Sequence, residues 1–151
     1  MTIQIDTQTL AQRCAHSLWV DDKSSRALGM SVDSVTEGHA VLSMTVREDM
    51  VNGLNICHGG MIFMLADSAF AYACNSQNQA AVAAGAVIDF LAPAFKEDVL
   101  TATATMIHQG GRAGIYSVSV ANHNGEPVAL FKGNSARIKR SVLPNNDFLG
   151  E

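Results

Sequence analysis

The chain has 151 residues, 48% of them hydrophobic, and a formal net charge of −4. That length suits one domain with its own core, and the acidic balance argues against nucleic acid as the main partner, because phosphate binding needs a basic surface. No apolar run reaches the roughly 18 residues of a membrane span, and Met1-Thr2-Ile3-Gln4-Ile5-Asp6 lacks the basic start and apolar stretch of a leader, so a cytoplasmic protein without a membrane partner is expected.

Residues 7–18 read as a helix, with Leu10, Cys14 and Leu18 at i, i+4 and i+8. Asp21 to Arg26 is a charged break. Residues 30–37 and 39–46 read as two strands about a Glu37-Gly38 turn, with Leu42, Met44 and Val46 facing inward. A loop over 47–58 leads into a helix over 59–77. That helix is apolar nearly all round (Met61, Ile62, Phe63, Leu65, Ala66, Ala69, Phe70 and Ala73), so it belongs inside something. Residues 82–92 are apolar on both faces, as a central strand would be, and Pro93 marks its end or an edge. Residues 98–108 alternate, Gly110-Gly111 turns the chain, and 113–121 follows as a strand. Asn124-Gly125 is a further turn, and 127–139 is the last strand. Residues 1–140 thus form one domain, and 141–151 read as a flexible tail. One antiparallel sheet curled around one long central helix, an α+β hot-dog fold, is the economical architecture.

The chemistry concentrates where loop meets helix. Val51-Asn52-Gly53-Leu54-Asn55-Ile56-Cys57-His58-Gly59-Gly60 runs into the apolar helix, which carries a carboxylate at Asp67. A helix start offers unpaired N–H donors and a positive dipole end, and glycines let a ligand approach them. Gly59 and Gly60 are therefore candidate oxyanion donors, and Asp67 is a candidate nucleophile or general base. Blander readings stand beside these. Asp67 could be a buried acid bonded to Ser68 or a strand, and the two glycines a tight helix entry. His58 is better read as a hydrogen-bonded or capping residue than as a base. Cys57 reads as a packed thiol, since nothing near it obviously lowers its pKa. Cys14, Cys57 and Cys74 are an odd set without metal-like spacing, so reduced thiols and no metal are expected. Asp89 would pair with a surface Lys or Arg. Phe63, Phe70, Tyr72 and Phe90 could shape an aromatic pocket, although their spacing also suits a core.

Beyond these residues, the chain resembles the hot-dog acyl-CoA thioesterases of the PaaI type, linked to phenylacetate degradation, from about Ala27 to Ile138. The resemblance is carried by Asn52-Gly53 with Cys57-His58-Gly59-Gly60, by Leu65-Ala66-Asp67 and by Phe70 to Asn75. Ile88 to Pro93, Leu100 to Ala104 and Ala129 to Gly133 complete it. It implies an acyl-CoA substrate, and Asp67 as nucleophile or base. Gly59 would give its N–H to the thioester oxygen, and Asn52 would help to orient the attacking group. His58 and Gly60 would lie against the substrate. A serine that a related branch carries after the helix is replaced here by Ala83. No cofactor beyond the coenzyme A of the substrate is implied. Among Arg112, Lys132, Arg137, Lys139 and Arg140, the trio Arg137, Lys139 and Arg140 is the candidate for the coenzyme A phosphates.

Asp67 stands eight residues after Gly59, so it lies ~12 Å along the helix from those N–H groups. That is too far to serve one carbonyl jointly. The active site is therefore expected between two copies of the chain, with two sites per two-fold dimer. The resemblance adds a homotetramer. The leading expectation is hydrolysis of phenylacetyl-CoA or a hydroxyphenylacetyl-CoA. The alternatives are a thioesterase for hydroxybenzoyl- or dihydroxynaphthoyl-type thioesters, or a non-catalytic acyl-CoA-binding module.

Overall fold

The computed structural model describes residues 8–144. The chain order is α1 (Leu10–Asp21), α2 (Lys23–Ala27), β1 (Ser31–Thr36), β2 (His39–Thr45), a 3-10 turn (Glu48–Met50), α3 (Gly59–Cys74), β3 (Ala81–Phe90), β4 (Val99–Gln109), β5 (Ala113–Ala121) and β6 (Pro127–Arg137). Thr9 sets the start of α1 by a capping box: its Oγ1 accepts from the Gln12 N–H at 3.2 Å, and its own N–H donates to Gln12 Oε1 at 2.9 Å. The buried side of α1 is consequently Ala11, Cys14 and Ala15, with Leu10 44% exposed. The expected Leu10-Cys14-Leu18 stripe is thus rotated by about one residue. The charged break contains α2, a turn capped by Asp22, which accepts from the Ser25 N–H at 3.1 Å.

The six strands form one antiparallel sheet in the order β1-β2-β4-β5-β6-β3. Leu42, Met44, Leu100, Ala102, Ala104, Val118, Val120 and Phe131 line its inner face, and Leu65, Ala66, Ala69 and Phe70 of α3 lie against them. Burial of such side chains contributes on the order of 1.5–3 kcal/mol each. Three of the expected aromatics belong to this core: Tyr72 is buried, and the Phe63 and Phe70 rings lie 5.3 Å and 5.9 Å from that of Phe131. Gly133 is what lets Phe70 reach the sheet, because a Cβ there would sit 2.8 Å from the ring. Gly133→Ala is expected to cost on the order of 2 kcal/mol by overpacking and to lower Tm by about 4–8 °C in a thermal melt.

α3 ends earlier than its hydropathy implies. Asn75 stops it by donating from Nδ2 to the Ala71 and Ala81 carbonyls (2.9 and 3.1 Å) and accepting from the Ala81 N–H at 2.9 Å. This one amide fastens the helix end to the start of β3. β3 itself corrects the expectation of a central strand: it is the last strand of the sheet, bonded on one side to β6. Val82, Val87 and Phe90 are 51%, 65% and 53% exposed. Apolarity on both faces marks a surface that avoids water, but not which element covers it. Asp89 on this strand has no ion pair among the described residues. Of the expected tail, residues 141–144 fold back. Leu143 is buried, and its N–H donates to Asn78 Oδ1 at 2.8 Å. Residues 145–151 lie outside the described residues.

Candidate active site

The loop before α3 is fixed by its own hydrogen bonds. Asn52 Oδ1 accepts from the N–H groups of Leu54 (2.9 Å) and Ile56 (3.4 Å), while the Asn52 N–H donates to the Ile56 carbonyl at 2.8 Å. This Asx turn places Asn55 at a φ of 62°, which asparagine tolerates better than most residues. The Cys57 and His58 N–H groups then donate to the carbonyls of Ala94 (2.7 Å) and Met50 (2.8 Å), which locks the entry into α3.

Four N–H groups open any α-helix without partners inside it. Here the Met61 and Ile62 N–H groups both reach the His58 carbonyl, at 2.9 and 3.4 Å. The Gly60 N–H donates to His58 Nδ1 at 2.8 Å. His58 is therefore the N-cap of α3, and the expectation that Gly60 offers a free donor is corrected: a side chain two residues earlier consumes it. The Gly59 N–H is left without a partner among the described residues. Gly59 lies in an apolar pocket of about 440 Å³ with Asn52, Ile56, Ile62, Phe90 and Leu91. The Phe90 ring covers the Gly59 Cα so closely that a Cβ would sit 3.0 Å from its Cζ. Of the four aromatics weighed in the sequence, Phe90 is the one that shapes this pocket. Its signal was an aromatic at the end of an apolar strand, which a buried core residue shares.

Asp67 projects from the half-buried side of α3 and makes no hydrogen bond or ion pair among the described residues. Ser68, its expected partner, meets Ser25 Oγ instead at 3.2 Å. Burial alone raises the Asp67 pKa, because desolvation disfavours the carboxylate. The folded protein therefore holds the Asp67 proton more tightly than the unfolded chain. Stability then falls as pH rises from the ordinary aspartate range through the raised value. Asp67→Asn is expected to raise Tm at neutral pH and to flatten its dependence across that window, which melts at several pH values would show. The thiols are poor nucleophiles: burial pushes Cys57 up to about 11 and Cys74 up to about 12.

The basic trio separates into two places. Arg137 and Lys139 line a pocket of about 590 Å³ together with Arg112. Arg137 is held there by Gln77, whose Oε1 accepts from Nη2 at 2.9 Å, and Gln77 in turn donates to Glu37 Oε1 at 3.0 Å. Arg140 lies elsewhere, in a pocket with Asp21, Asp22, Ala71 and Tyr72. The expectation of one cluster fails because β6 ends at Arg137 and the following residues turn across Ala80. Among the described residues no three His, Cys, Asp or Glu side chains converge as metal ligands, and no helix is long and apolar enough to cross a membrane.

One antiparallel sheet wrapped on one long helix is the hot-dog fold, and this architecture sets the class of protein. Residues 54–129 match the family model of the thioesterase superfamily. The acyl-coenzyme A thioesterase PaaI of Escherichia coli is 52% identical over 128 residues, which cover 85% of this chain and 91% of that protein. The solved structure of the E. coli PaaI protein from the phenylacetic acid degradation operon superposes with a TM-score of 0.86 at 49% identity, covering 87% of this chain and 96% of that one. A mutant of the phenylacetic acid degradation protein PaaI from Thermus thermophilus superposes with a TM-score of 0.73 at 35% identity, covering 76% and 97%. The chain belongs to the thioesterase superfamily and, within it, to the PaaI family of hot-dog acyl-CoA thioesterases.

Proposed function

We propose that the chain hydrolyses phenylacetyl-CoA, or a ring-hydroxylated phenylacetyl-CoA, to the free acid and coenzyme A, in the cytoplasm and as part of phenylacetate catabolism. The observation that carries this reading is the Gly59 N–H at the start of α3, which has no partner among the described residues and opens into an apolar pocket. A donor so placed steadies the oxyanion that forms when a thioester carbonyl is attacked, an effect on the order of 3–4 kcal/mol. Asp67 supplies the attack, either directly, giving a mixed anhydride, or by taking a proton from water. Its lack of a hydrogen-bond partner among the described residues and its raised pKa suit both roles. Asn52 spends its Oδ1 on the loop and keeps its amide NH₂ for the substrate or the water. Arg137 and Lys139, with Arg112, are the side chains for the coenzyme A phosphates. The reaction consumes only water, and no cofactor is needed beyond the coenzyme A of the substrate.

The same reading requires two copies of the chain. Gly59 and Asp67 of one copy stand ~12 Å apart along α3, so each site combines the Gly59 of one protomer with the Asp67 of another. The open edge of β3 supports a dimer through that strand: its exposed side chains apart from Asp89 are apolar, and its outer backbone groups have no strand partner among the described residues. A further pairing of dimers gives the proposed homotetramer.

The test is thiol release, followed with a chromogenic disulfide, over a panel of aryl and alkyl thioesters of coenzyme A. The highest kcat/KM is expected for phenylacetyl and hydroxyphenylacetyl thioesters. Preference for benzoyl or naphthoyl thioesters would move the protein to another substrate, and binding without thiol release would leave a non-catalytic module. A single turnover in heavy-oxygen water separates the two roles of Asp67, since label in its carboxylate marks direct attack.

A further inference from the structure

The surface of α3 beyond Asp67 carries a second cavity that the hydrolytic chemistry does not use. Asp67 and Ala71 are four residues apart and so share one side of the helix. Ala71 lines a pocket of about 360 Å³ with Leu18, Asp21, Asp22, Tyr72 and Arg140. Its floor lies ~6 Å along the helix from Asp67, the reach of an aryl ring whose carbonyl carbon sits at that carboxylate. Asp22 is held in place: its Oδ2 accepts from the Tyr72 hydroxyl at 3.0 Å, and its Oδ1 caps α2. The Arg140 guanidinium has no hydrogen bond or ion pair among the described residues.

Charge decides which end of the substrate goes here. This pocket carries two carboxylates against one cation, which repels the phosphates of coenzyme A. The pocket of Arg112, Arg137 and Lys139 carries three cations and attracts them. Leu18 and Ala71 offer apolar walls, while Asp22 accepts and Arg140 donates at the rim. A phenol hydroxyl needs both, since it is donor and acceptor at once.

We propose that this pocket receives the aryl ring of the acyl group, with Arg140 donating to a ring hydroxyl and Asp22 accepting from it. Arg140 then sets the preference for hydroxylated over unsubstituted aryl thioesters. The proposal rests on the thioesterase reading above.

The test compares Arg140→Met and Ala71→Leu with wild type, using phenylacetyl-CoA and 3-hydroxyphenylacetyl-CoA. Arg140→Met is expected to lower the ratio of kcat/KM, hydroxylated over unsubstituted, by about tenfold, the scale of one charge-assisted hydrogen bond to substrate. Ala71→Leu is expected to raise KM for both by filling the pocket. In parallel, binding of the ketone analogue of 3-hydroxyphenylacetyl-CoA, with CH₂ in place of the thioester sulfur, is measured by calorimetry. Both substitutions are expected to weaken it. Unchanged ratio, KM and analogue affinity in the two variants would overturn the proposal while wild-type hydrolysis upheld the thioesterase reading. Analogue binding that responds to both substitutions, in a protein that releases no thiol, would uphold the pocket and overturn the hydrolytic reading.

Discussion

Asp67→Asn is expected to reduce kcat for aryl-CoA hydrolysis by ~10³-fold or more, the range for loss of a positioned base or nucleophile. Its fold should persist or gain stability, because the substitution removes a carboxylate that burial disfavours. Near-wild-type thiol release from a correctly folded Asp67→Asn protein would remove this residue from the chemistry. The same variant tests the two-copy site. Gly59→Val sets side-chain atoms against Phe90, whose Cζ is already 3.0 Å from a Cβ at that position, and so spoils the donor. A mixed dimer of the two variants keeps one site in which Gly59 and Asp67 are both intact, provided they come from different protomers. Equal mixing after denaturation and refolding is expected to recover about a quarter of wild-type activity, half the dimers being mixed with one working site each. If both groups served from the same protomer, the mixture would stay inactive.

The second large effect is expected from the edge of the sheet. Val87 is 65% exposed on β3 and opposite Lys132 of β6. Val87→Lys places a second cation beside the first, and the proposed two-fold pairing of β3 edges would repeat it on the partner. Such like-charge juxtaposition costs several kcal/mol across an interface, enough to separate the protomers at micromolar concentration. Sedimentation should then show monomers with unchanged circular dichroism, and hydrolysis should fall nearly to background because each site lacks its opposite half. A monomeric variant with full activity would place both groups in one chain and end the shared-site reading.

Much of this architecture was legible in the sequence. The alternation of Leu42, Met44 and Val46 along β2 and just past its end sets an inner face that is buried as expected, and the alternation over 98–108 buries Leu100, Ala102 and Ala104. The turn at Asn124-Gly125 is present, with Gly125 at a φ of 78°. The glycine-led start of α3 falls at Gly59, and Asp67 falls on its half-buried side. Cys57 is a packed thiol and His58 a helix cap. Each of these depends on neighbours in the chain, where side-chain period and capping chemistry act.

The tertiary structure decided what distance along the chain hides. It put β3 at the edge of the sheet, since strand order follows from pairing β6 with both β5 and β3. It left Asp67 without a hydrogen bond or ion pair among the described residues, and it set Ser68 against Ser25, 43 residues away in sequence. It split Arg140 from Arg137 by turning the chain past β6 onto Ala80, whose N–H donates to the Arg140 carbonyl at 2.9 Å. Local pattern determines which residues seek burial, a helix start or a turn. Which surfaces meet, and which polar groups are consumed in the meeting, is settled only when segments far apart in sequence compete for the same neighbours.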